Sequence, residues 1–395
     1  MLEAVSYSKN MIKQITSDQL FRRLDHLDSG TLKLTTPDGK TRTFEGKNPG
    51  HSACIELRDW RVIGNMIRKG DIGFAEDYRA GNWETDDLTA LTTLGLVNRR
   101  ALDRLVTGNN FSRTLSMLSY LLRLNSLKGS KKNIHAHYDL GNEFYKLWLD
   151  PTMTYSAAIF KGNETLQQAQ HNKYDRILEC LDDQSGSLLE VGCGWGGFAE
   201  RAQDIGDFGI KGVTLSEEQH AYANKRLGKK ANIVLEDYRH QEGKYQNIVS
   251  IEMFEAVGER YWPTYFNKIG ALLNKKGKAV IQTITMNEQD FPRYRKGGDF
   301  IRSYIFPGGM LPSPSRFRQE ARQAGLKTQN EFYFGQDYAR TLEHWLHEFD
   351  SKRDHVKTLG FDDGFIRLWR FYLAACIAGF KTGRTDVMQV ELSHA

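Results

Sequence analysis

The chain has 395 residues, with 54 Lys/Arg against 49 Asp/Glu and a formal net charge of +5. At roughly 100–200 residues per domain, this length predicts about two domains with a sizeable core, and so small a positive excess excludes nucleic acid as a global partner. Its four cysteines, Cys54, Cys180, Cys193 and Cys376, lie far apart with no Cys-x-x-Cys, which opposes a zinc site and a disulfide framework.

Met1-Leu2-Glu3-Ala4 has no basic stretch leading into an apolar one, so no secretory signal is read and a cytoplasmic location is expected. Residues 1–125 hold scattered turns such as Pro37-Asp38-Gly39 and no glycine-rich fingerprint, and are expected to form a smaller N-terminal domain. Near its end, Arg99 to Asn133 carries Arg99, Arg100, Arg104, Arg113, Arg123, Lys128, Lys131 and Lys132 against the single acid Asp103. Phe111, Leu115, Leu118 and Leu122 recur there at helical spacing. Two readings stay open. A basic helix with an apolar stripe can lie on an anionic membrane, each Lys/Arg adding about 1 kcal/mol; equally, it can pack on its own domain and leave the basic face to solvent. Gly129-Ser130-Lys131-Lys132 reads as a hinge, giving a linker at 126–134 and a second domain at 135–395.

From about Ile177, strand and helix patterns alternate in the rhythm of a doubly wound parallel sheet. Strands are expected at Leu188–Val191, Ile210–Leu215, Asn232–Leu235, Asn247–Ile251 and Lys278–Thr283, with helical spacing over Glu217–Leu227 and Tyr261–Leu273. Ligands bind such sheets beyond the carboxyl ends of the strands, which here carry Gly192, Thr214, Asp237, Glu252 to Glu255 and Gln282. The apolar run Phe371–Phe380 is about half the roughly 20 residues that span a bilayer and predicts a buried helix.

The first of these strands runs into Gly192-Cys193-Gly194-Trp195-Gly196-Gly197. Glycines let main chain approach a bulky ligand at positive φ, although a tight turn after a buried strand is the plain alternative. Phe198-Ala199-Glu200 follows in place of Lys-Ser/Thr, which excludes a P-loop. The Gly-x-Gly-x-x-Gly spacing alone admits NAD. Against it, Glu190, Trp195 and Glu200 suggest an acidic, aromatic rim suited to a cation, and the second strand ends in Thr214-Leu215-Ser216 where NAD enzymes prefer an acid. S-adenosylmethionine, a sulfonium without phosphate, fits best.

Ordered motifs extend this reading: His137-Tyr138-Asp139-Leu140-Gly141-Asn142, Thr154-Tyr155-Ser156, Glu190 to Gly197, Gly212-Val213-Thr214-Leu215-Ser216 with Gln219, Asp237-Tyr238-Arg239, Met253-Phe254-Glu255, Tyr304-Ile305-Phe306-Pro307 and Asp337-Tyr338. Over roughly residues 133–380 the chain resembles the cyclopropane fatty acid synthase family and its mycolic-acid-modifying relatives. Its N-terminal part, including Gly70 to Trp83, is more loosely similar to the lipid-engaging domain of the full-length bacterial synthases. The resemblance implies an α/β class I S-adenosylmethionine-dependent methyltransferase with a Rossmann-like sheet and a smaller N-terminal domain. It further implies methyl transfer to the double bond of an acyl chain in an unsaturated phospholipid, by a peripheral protein on the anionic inner face of the membrane, with a homodimer as the expected assembly.

Carried over residue by residue, the resemblance puts Tyr155 and Ser156 on the methionine end of the cofactor, Gly192 and Gly194 under it, and Ile251 beneath the sulfonium. Thr214, Leu215 and Gln219 fall near the ribose, Tyr238 and Arg239 near the adenine, Arg239 having a surface ion pair as its alternative. An apolar, aromatic pocket would protect a carbocation from water, with Tyr155, Phe160, Tyr304, Phe306 and Tyr338 as candidates. The family's bicarbonate base is held by a glutamate, a histidine, a tyrosine and backbone beside a cysteine. The glutamate maps to Glu255 and the tyrosine to Tyr338, whereas Ala157, Gln282 and Ala256 stand where the cysteine and two histidines are usual. Gln282 can still donate one amide hydrogen bond to an anion. Loss of a methyl proton gives a cyclopropane; loss from an adjacent carbon gives a methylated or methylene-bearing chain, as in branched or furan fatty acid pathways. Two rivals remain: a methyltransferase for a small soluble nucleophile, with His220 or His240 as base, and a non-enzymatic membrane scaffold.

Overall fold

The computed structural model describes residues 18, 20–102, 140–181 and 184–395. The hinge, the core of the basic segment and His137-Tyr138-Asp139 therefore lie outside the described residues.

The N-terminal unit is built on a four-stranded sheet of β1 (Ser29–Thr35), β2 (Thr41–Glu45), β3 (Asn48–Leu57) and β4 (Trp83–Glu84) in the order β2-β1-β3-β4. Helices Arg61–Lys69, Asp71–Arg79 and Leu88–Val97 complete it. Its apolar faces do not close on themselves. Leu32, Leu34, Ile55, Leu57, Val62 and Trp83 belong to the same buried cluster as Trp345, Trp369, Phe371 and Tyr372 of the C-terminal helices. Polar contacts pin this seam: Arg367 donates to Glu84 Oε1 at 2.8 Å and to the Trp83 carbonyl at 3.0 Å, Arg370 to the Tyr78 hydroxyl at 2.8 Å, and Thr92 Oγ1 to the Ala374 carbonyl at 3.2 Å.

The second unit holds a seven-stranded sheet: β5 (Ser185–Val191), β6 (Asp207–Thr214), β7 (Ala231–Leu235), β8 (Tyr245–Ile251), β9 (Leu273–Met286), β10 (Leu326–Tyr333) and β11 (Thr385–His394), ordered β10-β11-β9-β8-β5-β6-β7. β5 through β9 pair in parallel, and β11 and β10 close one edge antiparallel. The five expected strands are all present, with Ile210–Leu215 realised as Asp207–Thr214. The two antiparallel strands were not foreseen. Helix Glu217–Leu227 has the expected bounds because Ser216 caps it, its hydroxyl accepting from the Gln219 N–H at 3.2 Å, and Gly228 ends it at φ 56°. Phe371–Phe380 is the buried half of helix Asp363–Lys381. Because β5 has β6 on one side and β8 on the other, the connections leaving its two neighbours diverge, and a crevice opens beyond the ends of β5, β6 and β8.

Candidate active site

β5 ends at Val191, and the chain turns through Gly192 at φ 82° and Gly194 at φ 52° before helix Gly197–Ile205 begins. A Cβ on Gly192 would strike Met253, whereas one on Gly194 would meet nothing within 4 Å, so the second glycine leaves open space. That space is part of a cavity of about 160 Å³ lined by Tyr155, Ser156, Gly192, Gly194, Thr214, Leu215, Gln219, Tyr238, Arg239 and Ile251, which is every residue expected to meet the cofactor.

Details differ from expectation on the rim. Glu190 and Trp195 line the cavity, but Glu200 does not; it pairs with Arg226. Trp195 is buried, its Nε1 donating to Asn142 Oδ1 at 2.6 Å. Arg239 lines the cavity and is paired with Asp237 at 2.6 Å. Thr214 Oγ1 donates to Gln219 Oε1 at 2.8 Å, fixing that wall. Glu190 Oε2 is buried with no hydrogen-bond partner, and burial pushes its carboxyl well above the usual range. An orphaned acceptor beside a glycine cradle is what a ligand bearing an ammonium group would satisfy, so the residues present fit S-adenosylmethionine.

A second cavity, of about 860 Å³, runs from the N-terminal unit into the sheet domain. Leu24, Leu34, Leu57, Val62, Phe74 and Leu94 line one part of it, and Tyr155, Phe306, Tyr338, Tyr372 and Phe380 another. Tyr338 packs on Phe380 with ring centroids 4.4 Å apart, and the Tyr155 and Tyr372 hydroxyls meet at 2.8 Å. Two expected members are elsewhere. Tyr304 is 38% exposed and its hydroxyl donates to Glu76 at 2.7 Å, while Phe160 stacks on His344 outside the cavity wall. The two cavities share Tyr155, Glu252 and Ala256.

Glu252 follows β8 with φ 48°, a left-handed conformation unusual for a side chain of this size. Its Oε1 accepts from the Ala157 N–H at 2.8 Å and from Gln282 Nε2 at 2.7 Å, and its Oε2 from the Tyr338 hydroxyl at 2.5 Å. Gln282 is held in turn, its Oε1 accepting from Gln389 Nε2 at 2.9 Å. Thus Tyr338 and Gln282 come together as expected, but on Glu252. Glu255 lies beside them and bonds neither; its Oε1 accepts from Thr283 Oγ1 at 3.0 Å and the Ile284 N–H at 2.5 Å, and its Oε2 is buried without a hydrogen-bond partner.

Burial and the neighbouring Glu252 push the Glu255 carboxyl up to about 8, so it carries a proton at neutral pH. Burial also raises Glu252, but three hydrogen bonds and the charge of Lys173 oppose the rise. The three hydrogen bonds donated to Glu252 favour its charged form over that of Glu255, which accepts none from Tyr338, Gln282 or Ala157. Lys173, unforeseen in the sequence, is buried with its Nζ 2.7 Å from Ser156 Oγ, and burial lowers it to about 7. Bicarbonate does not fit here: the Ala157 N–H and Tyr338 O–H each have one hydrogen to give, both go to Glu252, and a second anion would face that carboxylate. His220 bonds the Ile233 carbonyl at 3.2 Å, and neither it nor His240 lines either cavity.

Residues 125–390 match the model of the mycolic acid cyclopropane synthetase family. The chain belongs to this family. It is 38% identical over 397 residues to a tuberculostearic acid methyltransferase of Mycobacterium tuberculosis, covering 95% of this chain and 90% of that one. It is 32% identical over 350 residues to the cyclopropane-fatty-acyl-phospholipid synthase of Escherichia coli K12, covering 88% and 89%. A solved mycolic acid cyclopropane synthase complexed with SAH and CTAB superposes with a TM-score of 0.62 at 32% identity, covering 66% of this chain and 97% of that one. Like its family, the chain is a class I methyltransferase whose cofactor is S-adenosylmethionine, and it transfers methyl or methylene to unsaturated lipid. No helix among the described residues is long and apolar enough to cross a membrane.

Proposed function

We propose that this chain methylates the double bond of an unsaturated acyl chain carried by a membrane phospholipid, and releases a methylated or methylene-bearing chain. The observation that carries the reading is the meeting of the small cavity beside the glycine loop and a larger, mainly apolar one at Tyr155, Glu252 and Ala256. When bound, S-adenosylmethionine supplies an electrophilic methyl group. Glu190 is placed to hold its ammonium end, Gly192 and Gly194 to admit it, Thr214 and Gln219 to fix the ribose, and the Tyr238 ring to cover the adenine.

An alkene is a weak nucleophile, so the protein must act by alignment and by excluding water. The apolar walls of the larger cavity hold the chain, and its volume falls within the roughly 300–1,000 Å³ of ligand sites. Tyr155, Tyr338, Tyr372 and Phe306 present ring faces to the positive charge that methyl addition leaves on the chain. That the N-terminal unit supplies half of the apolar wall supports a lipid-engaging role for it. The basic composition of Arg99 to Lys132 supports work at the anionic inner face of the membrane.

The likeness over nearly the whole chain to a tuberculostearic acid methyltransferase favours the branched product. A cyclopropane is the second reading, favoured by the likeness to the Escherichia coli synthase. Mass spectrometry of the acyl product before and after mild hydrogenation separates them. A methylene alkene takes up hydrogen, and a cyclopropane stays largely intact.

A further inference from the structure

We infer that Glu252 is the resident general base of this enzyme, standing where the family resemblance calls for an exchangeable bicarbonate. The inference rests on the methyl-transfer reading above. Its ground is the cradle itself. A backbone N–H, an amide and a phenol converge on one point, Ala157, Gln282 and Tyr338 supplying them, and that point is filled by a carboxylate of the chain's own. The site is not merely depleted by the loss of a thiol and an imidazole; the donors that survive are spent on Glu252.

Position gives the carboxylate its role. Glu252 lines both cavities, so it borders the place where donor methyl and acyl chain meet, whereas Glu255 lines only the acyl cavity. After methyl addition the chain carries one positive charge. A Glu252 oxygen takes a proton either from a carbon adjacent to that charge, whose C–H electron pair closes a new double bond, or from the new methyl group, whose C–H pair bonds to the cationic carbon and closes the third side of a ring. The acyl product is then neutral, Glu252 is protonated, and its proton leaves to water once the site opens. Neither oxidant nor second anion is consumed. Glu252 sits at φ 48°, an angle that glycine adopts freely; Glu252→Gly therefore empties the cradle without opposing the backbone.

The test uses the full-length protein, labelled S-adenosylmethionine and unsaturated phospholipid vesicles, in buffer stripped of carbon dioxide and again with millimolar bicarbonate. The wild type should turn over equally in both and show no binding of ¹³C-bicarbonate by NMR. Glu252→Gln should lose turnover by about a hundred- to ten-thousand-fold, the range of general-base catalysis, with cofactor affinity by calorimetry retained. Glu252→Gly should bind ¹³C-bicarbonate and regain turnover when it is added. A wild-type rate that rises with bicarbonate, a Glu252→Gln variant at the wild-type rate, or a cofactor-binding Glu252→Gly variant that bicarbonate fails to restore would each overturn the inference. The wild-type measurements decide it even where a variant does not fold. A wild type that puts no label in lipid under either condition instead sinks the methyl-transfer reading.

Discussion

Tyr338→Phe isolates one hydrogen bond. The phenol donates to Glu252 Oε2 at 2.5 Å, while the ring stays packed on Phe380, so the substitution removes the donor and keeps the wall. A hydrogen bond to a charged group is worth about 1.5–3 kcal/mol, and about 1.4 kcal/mol corresponds to one pKa unit. Burial already raises Glu252, and Tyr338, Ala157, Gln282 and Lys173 hold it down. Without the phenol its carboxyl should rise further. A base works only when ionised, so turnover is lost as pH falls through its pKa, and the acidic limb of the kcat profile should move up by the same amount. Below that limb the variant should be about 10–100-fold slower. The assay is single-turnover methyl transfer to phospholipid vesicles across pH, with cofactor affinity measured in parallel. A uniform loss of rate with the acidic limb unmoved would show that Tyr338 serves only as a wall, and would refute the link to Glu252.

Other perturbations probe the remaining parts. Glu190→Gln replaces a buried carboxyl of the cofactor cavity whose Oε2 has no hydrogen-bond partner and should weaken cofactor binding by about ten- to a hundredfold; titration calorimetry showing wild-type affinity would rule out its contact with the ammonium end. Leu57→Trp narrows the acyl cavity within the N-terminal unit and should shift preference toward shorter acyl chains with cofactor affinity unchanged, as read by competition between vesicle-borne substrates; an unaltered preference would mean the chain does not reach β3. Arg367→Ala removes the pair with Glu84 and the bond to the Trp83 carbonyl; Glu84 keeps Arg58 at 3.1 Å, so the cost in urea unfolding should be about 1.5–3 kcal/mol, that of a lost hydrogen bond to a charged group. A midpoint within error of wild type would show that apolar packing alone holds the seam.

Much of the seven-stranded sheet and its glycine loop was legible because its signals are local. The loop at Gly192–Gly197 and the helical spacing of Glu217–Leu227 are short-range patterns, and the parallel strands are continuous apolar runs. β10 and β11 escaped for opposite reasons. β10 buries only Leu326 fully, so it lacks an apolar face; β11 is buried along Val387–Leu392 but includes Gln389 and Glu391, whose letters disguise a central strand. Helical period was enough to find Lys173, which shares the inward face of its helix with Ala169, Gln170, Tyr174 and Ile177; it passed unnoticed because a lysine reads as a solvent residue. Motif adjacency misled at Tyr304 and Phe160, since neighbours in a motif point to different sides. Glu252 was visible as one of two carboxylates at the end of β8. Which of them meets Gln282 and Tyr338 depends on a positive φ and a loop from residues far upstream, and no pattern in the letters encodes either.

The most direct test of the central claim is the fate of a labelled methyl group when the protein, S-adenosylmethionine and unsaturated phospholipid vesicles are mixed and the lipid is then saponified. If donor and acyl chain meet at Tyr155, Glu252 and Ala256, the label is recovered in the freed fatty acid, and vesicles of fully saturated lipid receive none. Label confined to the aqueous phase, or equal labelling of saturated chains, would contradict it.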